Sequence, residues 1–137
     1  MIVERESPRG VTVPVDLDAI RANLVEARRL SGGGRVFAVV KADAYGHGAA
    51  AVARALVRAD MPAAARADGF AVVTTGEATV LRDAGVEQPI LVLQGPLDEA
   101  DIAALLAAVF YVTLGTAFET ATTEPVTSAG SSPLLDV

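Results

Sequence analysis

From residue 36 onward the chain alternates short, unbroken apolar runs with longer segments in which apolar residues return every three or four positions. The runs are Val36-Phe37-Ala38-Val39-Val40, Gly69-Phe70-Ala71-Val72-Val73, Pro89-Ile90-Leu91-Val92-Leu93 and Phe110-Tyr111-Val112-Thr113-Leu114. Each reads as a strand buried on both faces. Between them, Val52, Leu56 and Ala59 share one helical face over roughly 48–59, and a second helix runs to Ala84, where Gly85 stops it. A third follows Asp98 and holds Ile102, Leu105, Leu106 and Val109. Thr74 and Glu77 have the spacing of a capping box. Strand, loop and helix in repetition predict an α/β fold with parallel strands and right-handed crossovers.

Upstream, residues 11–15 (VTVPV) are β-branched but interrupted by Pro14, which predicts a short edge or lead-in strand. Asp16 is placed to cap a helix over 17–30, with Ile20, Leu24 and Ala27 on one stripe and a glycine-rich stop from Ser31 to Gly34. The segment MPAAARA before Asp68 reads as a surface insertion between a helix and the next strand. From about Ala117 the periodicity fails, and a stretch rich in Thr, Ser, Pro and Gly follows with no basic residue. The expected organisation is one domain over 1–116 and a disordered tail over 117–137.

Composition narrows the options. Ala, Val and Leu supply most of the 52% hydrophobic content, and Trp and Cys are absent, as suits small-residue helices packed on buried strands. A net charge of −6 argues against a nucleic-acid partner. Without cysteine there is no disulfide framework and no thiolate nucleophile or metal ligand. The opening MIVERESPRG has no apolar centre and is not a secretory signal. No apolar run approaches the roughly 20 residues of a membrane span, so a soluble, cytoplasmic protein with no membrane partner is expected.

The chemistry concentrates at Lys41, the only lysine of the chain. It follows the first core strand directly, at the carboxyl end where parallel α/β folds gather their ligands. Apolar walls disfavour an ammonium and make the free amine more accessible, and a free amine forms a Schiff base with an aldehyde cofactor. A strand-end lysine that merely reaches to solvent is the commoner case. His47, the only histidine, has no companion ligands for a metal and reads as a residue satisfying backbone groups at a helix entry. Asp43 reads as a loop-turning residue, with pairing to Lys41 the alternative. Gly46 and Gly48 suit a tight turn.

The string Val39-Val40-Lys41-Ala42-Asp43-Ala44-Tyr45-Gly46-His47-Gly48 resembles the pyridoxal-phosphate attachment motif of the alanine racemases. Asp16-Leu17-Asp18-Ala19-Ile20 with Asn23-Leu24, then Glu77-Ala78, Leu81-Arg82, Ala84-Gly85 and Ile90-Leu91-Val92-Leu93 with Gly95 resemble that family's other segments in order, over about residues 11–114. The resemblance implies the first half of a (β/α)8 TIM-type barrel. It implies an isomerase that interconverts L-alanine and D-alanine, which supplies D-alanine to the cell wall. Lys41 would carry pyridoxal 5'-phosphate as a Schiff base and act as a catalytic base on Cα, and the Tyr45 hydroxyl would contact the cofactor phosphate. Alanine is then the small-molecule partner, and the family is homodimeric.

No position here matches the family's second base, a tyrosine of a C-terminal β-domain, or its later phosphate-binding loops. The sequence alone therefore suggests a fragment or truncated homologue, inactive by itself, whose half-barrel would leave two open strand edges. Two other readings compete. One is a non-catalytic pyridoxal-phosphate-binding or partner module on the same half-barrel. The other is a barrel enzyme acting on a different amino acid, which the string from Ala42 to Gly48 disfavours.

Overall fold

In the computed structural model, residues 1–6, 10–108, 110–114 and 122–125 are described. Strand β1 (Ile2–Glu6) pairs antiparallel with β2 (Thr12–Asp16), and α1 (Leu17–Leu30) follows without a break. The Asp16 carboxylate accepts from the N–H groups of Asp18 (2.9 Å) and Ala19 (3.4 Å), as its place before the helix predicts. β2 is the expected lead-in strand. Its partner β1 was not read from the sequence, because IVERE is mostly charged and buries little on either face.

The main sheet runs β3 (Phe37–Val39), β4 (Gly69–Val72), β5 (Ile90–Val92), β6 (Phe110–Leu114) and β7 (Thr122–Pro125) in spatial order. β3 to β6 pair in parallel, with Phe37 opposite Gly69, Phe70 opposite Ile90 and Ile90 opposite Phe110. The crossovers are α3 (Ala49–Val57), α4 (Thr75–Asp83) and α5 (Glu99–Ala108). This is the parallel strand–helix repeat of a partial barrel.

β7 pairs antiparallel with β6 and covers the edge that a four-stranded half-barrel would leave open there. It lies inside the stretch expected to be a tail, where Thr122 and Thr123 give local β preference. The rest of 117–137 lies outside the described residues. β3 ends the spatial order on the other side and has β4 as its one neighbour among the described residues.

The core is built from the predicted apolar runs. Phe70, Leu17, Leu81, Ile90, Val72 and Val92 are wholly buried, and Val36 and Val86 nearly so. Each such side chain contributes on the order of 1.5–3 kcal/mol relative to exposure. In α5 only part of the expected stripe turns inward: Leu105 is buried, but Ile102 and Leu106 are exposed. At Gly69 the Phe37 ring lies across the backbone, so that a Cβ there would sit 2.4 Å from Phe37 Cε1.

The amino end of the sheet is fixed by Arg28 of α1. Its guanidinium donates to the carbonyls of Gly34 (3.0 Å), Ala64 (3.2 Å) and Arg66 (2.8 Å), and to the Asp68 carboxylate at 2.6 Å. Asp68 in turn accepts from the Val36 N–H at 2.8 Å. These bonds tie the segment MPAAARA to α1, while Pro62, Ala63 and Ala64 stay exposed as expected of a surface insertion. The segment forms a short 3₁₀ turn (Ala63–Ala65) whose Ala65 is buried together with Ala67, because Arg28 draws its carbonyls down onto α1.

Candidate active site

The β3–β4 ladder extends one bond beyond β3, from the Val40 N–H to the Ala71 carbonyl at 2.9 Å. Lys41 is the next residue, at the carboxyl end of the sheet. The chain then enters a turn, α2 (Lys41–Tyr45), that coils the wrong way for L-residues. Ala42, Asp43, Ala44 and Tyr45 all have positive φ, between 51° and 55°. Backbone bonds from Gly46 N–H to Ala42 O (3.0 Å) and from Gly48 N–H to Asp43 O (2.8 Å) close it, and Gly46 (φ 85°) and Gly48 (φ 92°) release the chain into α3.

A left-handed residue with a Cβ costs roughly 1–2 kcal/mol, so four in a row cost about 4–8 kcal/mol that the surroundings must supply. Three attachments do so. The Asp43 carboxylate accepts from the Ala49 N–H at 2.7 Å, which caps α3, and also takes the Arg5 guanidinium from β1. Ala44 is buried against the core. The Glu77 carboxylate of α4 accepts from the Ala42 N–H at 2.8 Å. Asp43 thus has the loop-forming role, and the Arg5 side chain passes over Gly48, where a Cβ would lie 2.8 Å from its Nη1.

Glu77 also completes the predicted capping box. Its second oxygen accepts from the Val73 (2.8 Å) and Thr74 (3.2 Å) N–H groups, while Thr74 Oγ1 accepts from the Glu77 N–H. Burial works to raise the Glu77 carboxyl. The backbone donors of Ala42, Val73 and Thr74 and the nearby Lys41 charge outweigh it and hold the group below its ordinary value of 4.5.

Lys41 is half-buried, and its Nζ sits 6.0 Å from the centroid of the Tyr45 ring, the outer range of a cation–π contact. Among the described residues no carboxylate lies within ion-pair distance of that amine. Tyr45 is 61% exposed. The fold therefore brings both predicted site residues together at one rim. His47 Nδ1 donates to the Ala44 carbonyl at 2.8 Å, so the histidine closes the turn. No cluster of metal-ligating side chains occurs among the described residues. A cavity of about 290 Å³ opens behind the turn, between α1, α3 and β3, and is lined by Leu24, Val39, Val52 and Leu56 among others. Ala44, Tyr45 and His47 of the turn also line it, whereas Lys41 does not.

Sequence reasoning named Lys41 and Tyr45, which the fold sets side by side, but missed the left-handed turn, the Arg5 contact and the second bond of Glu77. Nothing in the letters KADAY signals αL backbone. The capping-box spacing did mark Glu77, but as a helix cap alone.

The alanine racemase N-terminal domain family matches residues 15–129. The alanine racemase of Thioalkalivibrio sulfidiphilus is 51% identical over 94 residues, which is 69% of this chain and 24% of that protein. Among solved structures, the alanine racemase of Acinetobacter baumannii superposes with a TM-score of 0.64 at 27% identity, over 73% of this chain and 26% of that one. That of E. faecalis gives 0.62 at 40% identity, over 74% and 26%. The chain spans about a quarter of the length of these relatives. The chain belongs to the alanine racemase family, and what it matches there is the N-terminal domain.

Proposed function

We propose that this chain is the lysine-bearing part of an alanine racemase, in which Lys41 holds pyridoxal 5'-phosphate covalently through Nζ and moves the Cα proton of alanine. The observation that carries the proposal is the placement of one unpaired amine at the carboxyl end of a parallel strand, on a turn held open at a cost, beside Tyr45. That placement fits an aldehyde cofactor, since the nucleophile needs a free, oriented amine and a neighbour for the phosphate.

When bound, pyridoxal phosphate supplies an electron sink for negative charge developing on Cα. The rest falls to the chain. Lys41 Nζ, released as a free amine once the amino group of alanine takes its place, would take or return the proton on the face of Cα that it meets, which is general acid–base work by a positioned amine. The Tyr45 hydroxyl binds the phosphate. The first N–H of α3 does not, because Asp43 already occupies the Ala49 N–H. A single base serves one face of Cα, and racemisation needs both, so the opposite base comes from outside the matched segment. Alanine as substrate, assembly as a homodimer and a cytoplasmic location follow from the same family reading.

The test is to add pyridoxal phosphate, reduce with borohydride and map the modified peptide by mass spectrometry. The expected label is on Lys41 and disappears in Lys41→Ala. Label confined to the Met1 α-amino group would overturn the reading. Exchange of the alanine α-proton with deuterium oxide distinguishes a catalytic lysine from a non-catalytic carrier.

A further inference from the structure

Glu77 ties three backbone segments with one side chain: the peptide just after Lys41, the carboxyl end of β4 and the first turn of α4. A helix cap needs only the second and third of these. The bond to Ala42 is surplus to capping, and it lands on the first residue of the left-handed turn, immediately beside the amine-bearing residue.

We infer that Glu77 is a positioning residue for Lys41: its carboxylate pins the Lys41–Ala42 peptide to α4 and thereby fixes where the amine points. The geometry supports the assignment in two ways. First, Lys41 lies at a junction between the β3–β4 ladder and a left-handed turn, and Ala42, whose N–H Glu77 holds, is the first left-handed residue of that turn. A free Ala42 peptide would let the turn relax toward the right-handed form that L-residues prefer. Second, both Glu77 oxygens are committed to N–H donors, so the carboxylate is anchored and cannot swing away with the loop. Its negative charge also lies near enough to attract the Lys41 ammonium. Other charged or titratable groups on the turn and the elements packed against it include Asp43, Tyr45 and His47, Arg54 of α3, Arg82 and Asp83 of α4, and Arg5 of β1, which is taken up by Asp43.

The inference rests on the proposed role of Lys41 only for its consequence, and the experiment separates the two. Amide hydrogen exchange is measured on the whole chain for the parent, Glu77→Gln and Thr74→Ala. Thr74→Ala removes the other half of the capping box and leaves the Glu77–Ala42 bond in place. Because Lys41 is the only lysine, lysine-selective isotopic labelling gives one side-chain signal to follow beside it. In Glu77→Gln we expect the Ala42 amide to lose at least about tenfold of its protection relative to the β4 and β5 amides, as loss of a bond to a charged acceptor implies. The Lys41 signal shifts, and the rate of borohydride-trapped labelling at Lys41 falls. Thr74→Ala leaves all three near the parent value after correction for global stability. Equal loss in the two variants would reduce Glu77 to a cap and overturn the inference, as would unchanged Ala42 protection in Glu77→Gln. A parent that is never labelled at Lys41 would sink the cofactor reading, while the exchange measurement still decides the role of Glu77.

Discussion

Replacing Ala42 with glycine should stabilise the chain, which is the reverse of what an alanine-to-glycine change normally does. Ala42 is exposed and holds φ 51° and ψ 49°, so its methyl group contributes strain and almost no burial. Glycine removes a left-handed penalty of about 1–2 kcal/mol. It also gives the unfolded chain more freedom, which takes back about 0.4–1 kcal/mol. The net expectation is a gain of up to about 1.6 kcal/mol, centred at about 0.8. The Ala42 N–H survives the change, so the Glu77 bond is kept. Ala22 is the control: it is also exposed but lies in the right-handed interior of α1, where glycine should lose about 0.5–1 kcal/mol. The assay is urea unfolding followed by circular dichroism, with midpoints compared at constant slope. Ala42→Gly should move the midpoint up and Ala22→Gly down. If Ala42→Gly destabilises as much as Ala22→Gly, the turn is not left-handed in solution, and the reasoning about how Lys41 is presented goes with it.

Other outcomes follow from the same geometry. Gly69→Ala places a methyl group against the Phe37 ring and should destabilise by about 1 kcal/mol, with Phe37→Leu in the same chain restoring most of the loss in a urea titration. Glu77 has a folded value held below 4.5, so its contribution to stability is present above that pH and is lost as pH falls through the lower folded value. The stability gap between parent and Glu77→Gln should thus be full at neutral pH and close in acid; a gap independent of pH would contradict the assignment. The 137-residue polypeptide by itself should exchange the α-proton of alanine without converting one enantiomer to the other, because Lys41 addresses one face. Chiral analysis showing conversion that Lys41→Ala abolishes would refute this.

What the letters reveal depends on the range of the force involved. The ends of α1 and α4 were legible because Asp16 and the Thr74–Glu77 pair act within one turn of themselves. The four parallel strands were legible because a strand covered on both faces is written as an unbroken apolar run, and β4 and β5 are buried along their whole length. Lys41 and Tyr45 were legible as a motif at a strand end. The missed features are set by partners distant in sequence. Arg5 meets Asp43 and Arg28 meets Ala64, 38 and 36 positions away, and no local pattern marks either pair. The left-handed turn is the extreme case, because Ala42 and Ala44 taken alone favour a right-handed helix. β1 was hidden by its charges and β7 by the polar composition around it.

The Arg28 junction and the Lys41 turn sit at opposite ends of the same short strand, with Val36 bonded to Asp68 at one end and Val40 to Ala71 at the other. In a library of variants, this separation predicts two classes of defect that sort on independent axes. Changes around Arg28, Gly34 and Asp68 would appear as lowered thermal midpoints with unaltered amine reactivity in whatever remains folded. Changes around Asp43, Gly48 and Glu77 would alter amine reactivity out of proportion to their thermal effect. A screen that scores only expression would see the first class and pass over the second, so the residues that orient the amine would be recorded as tolerant.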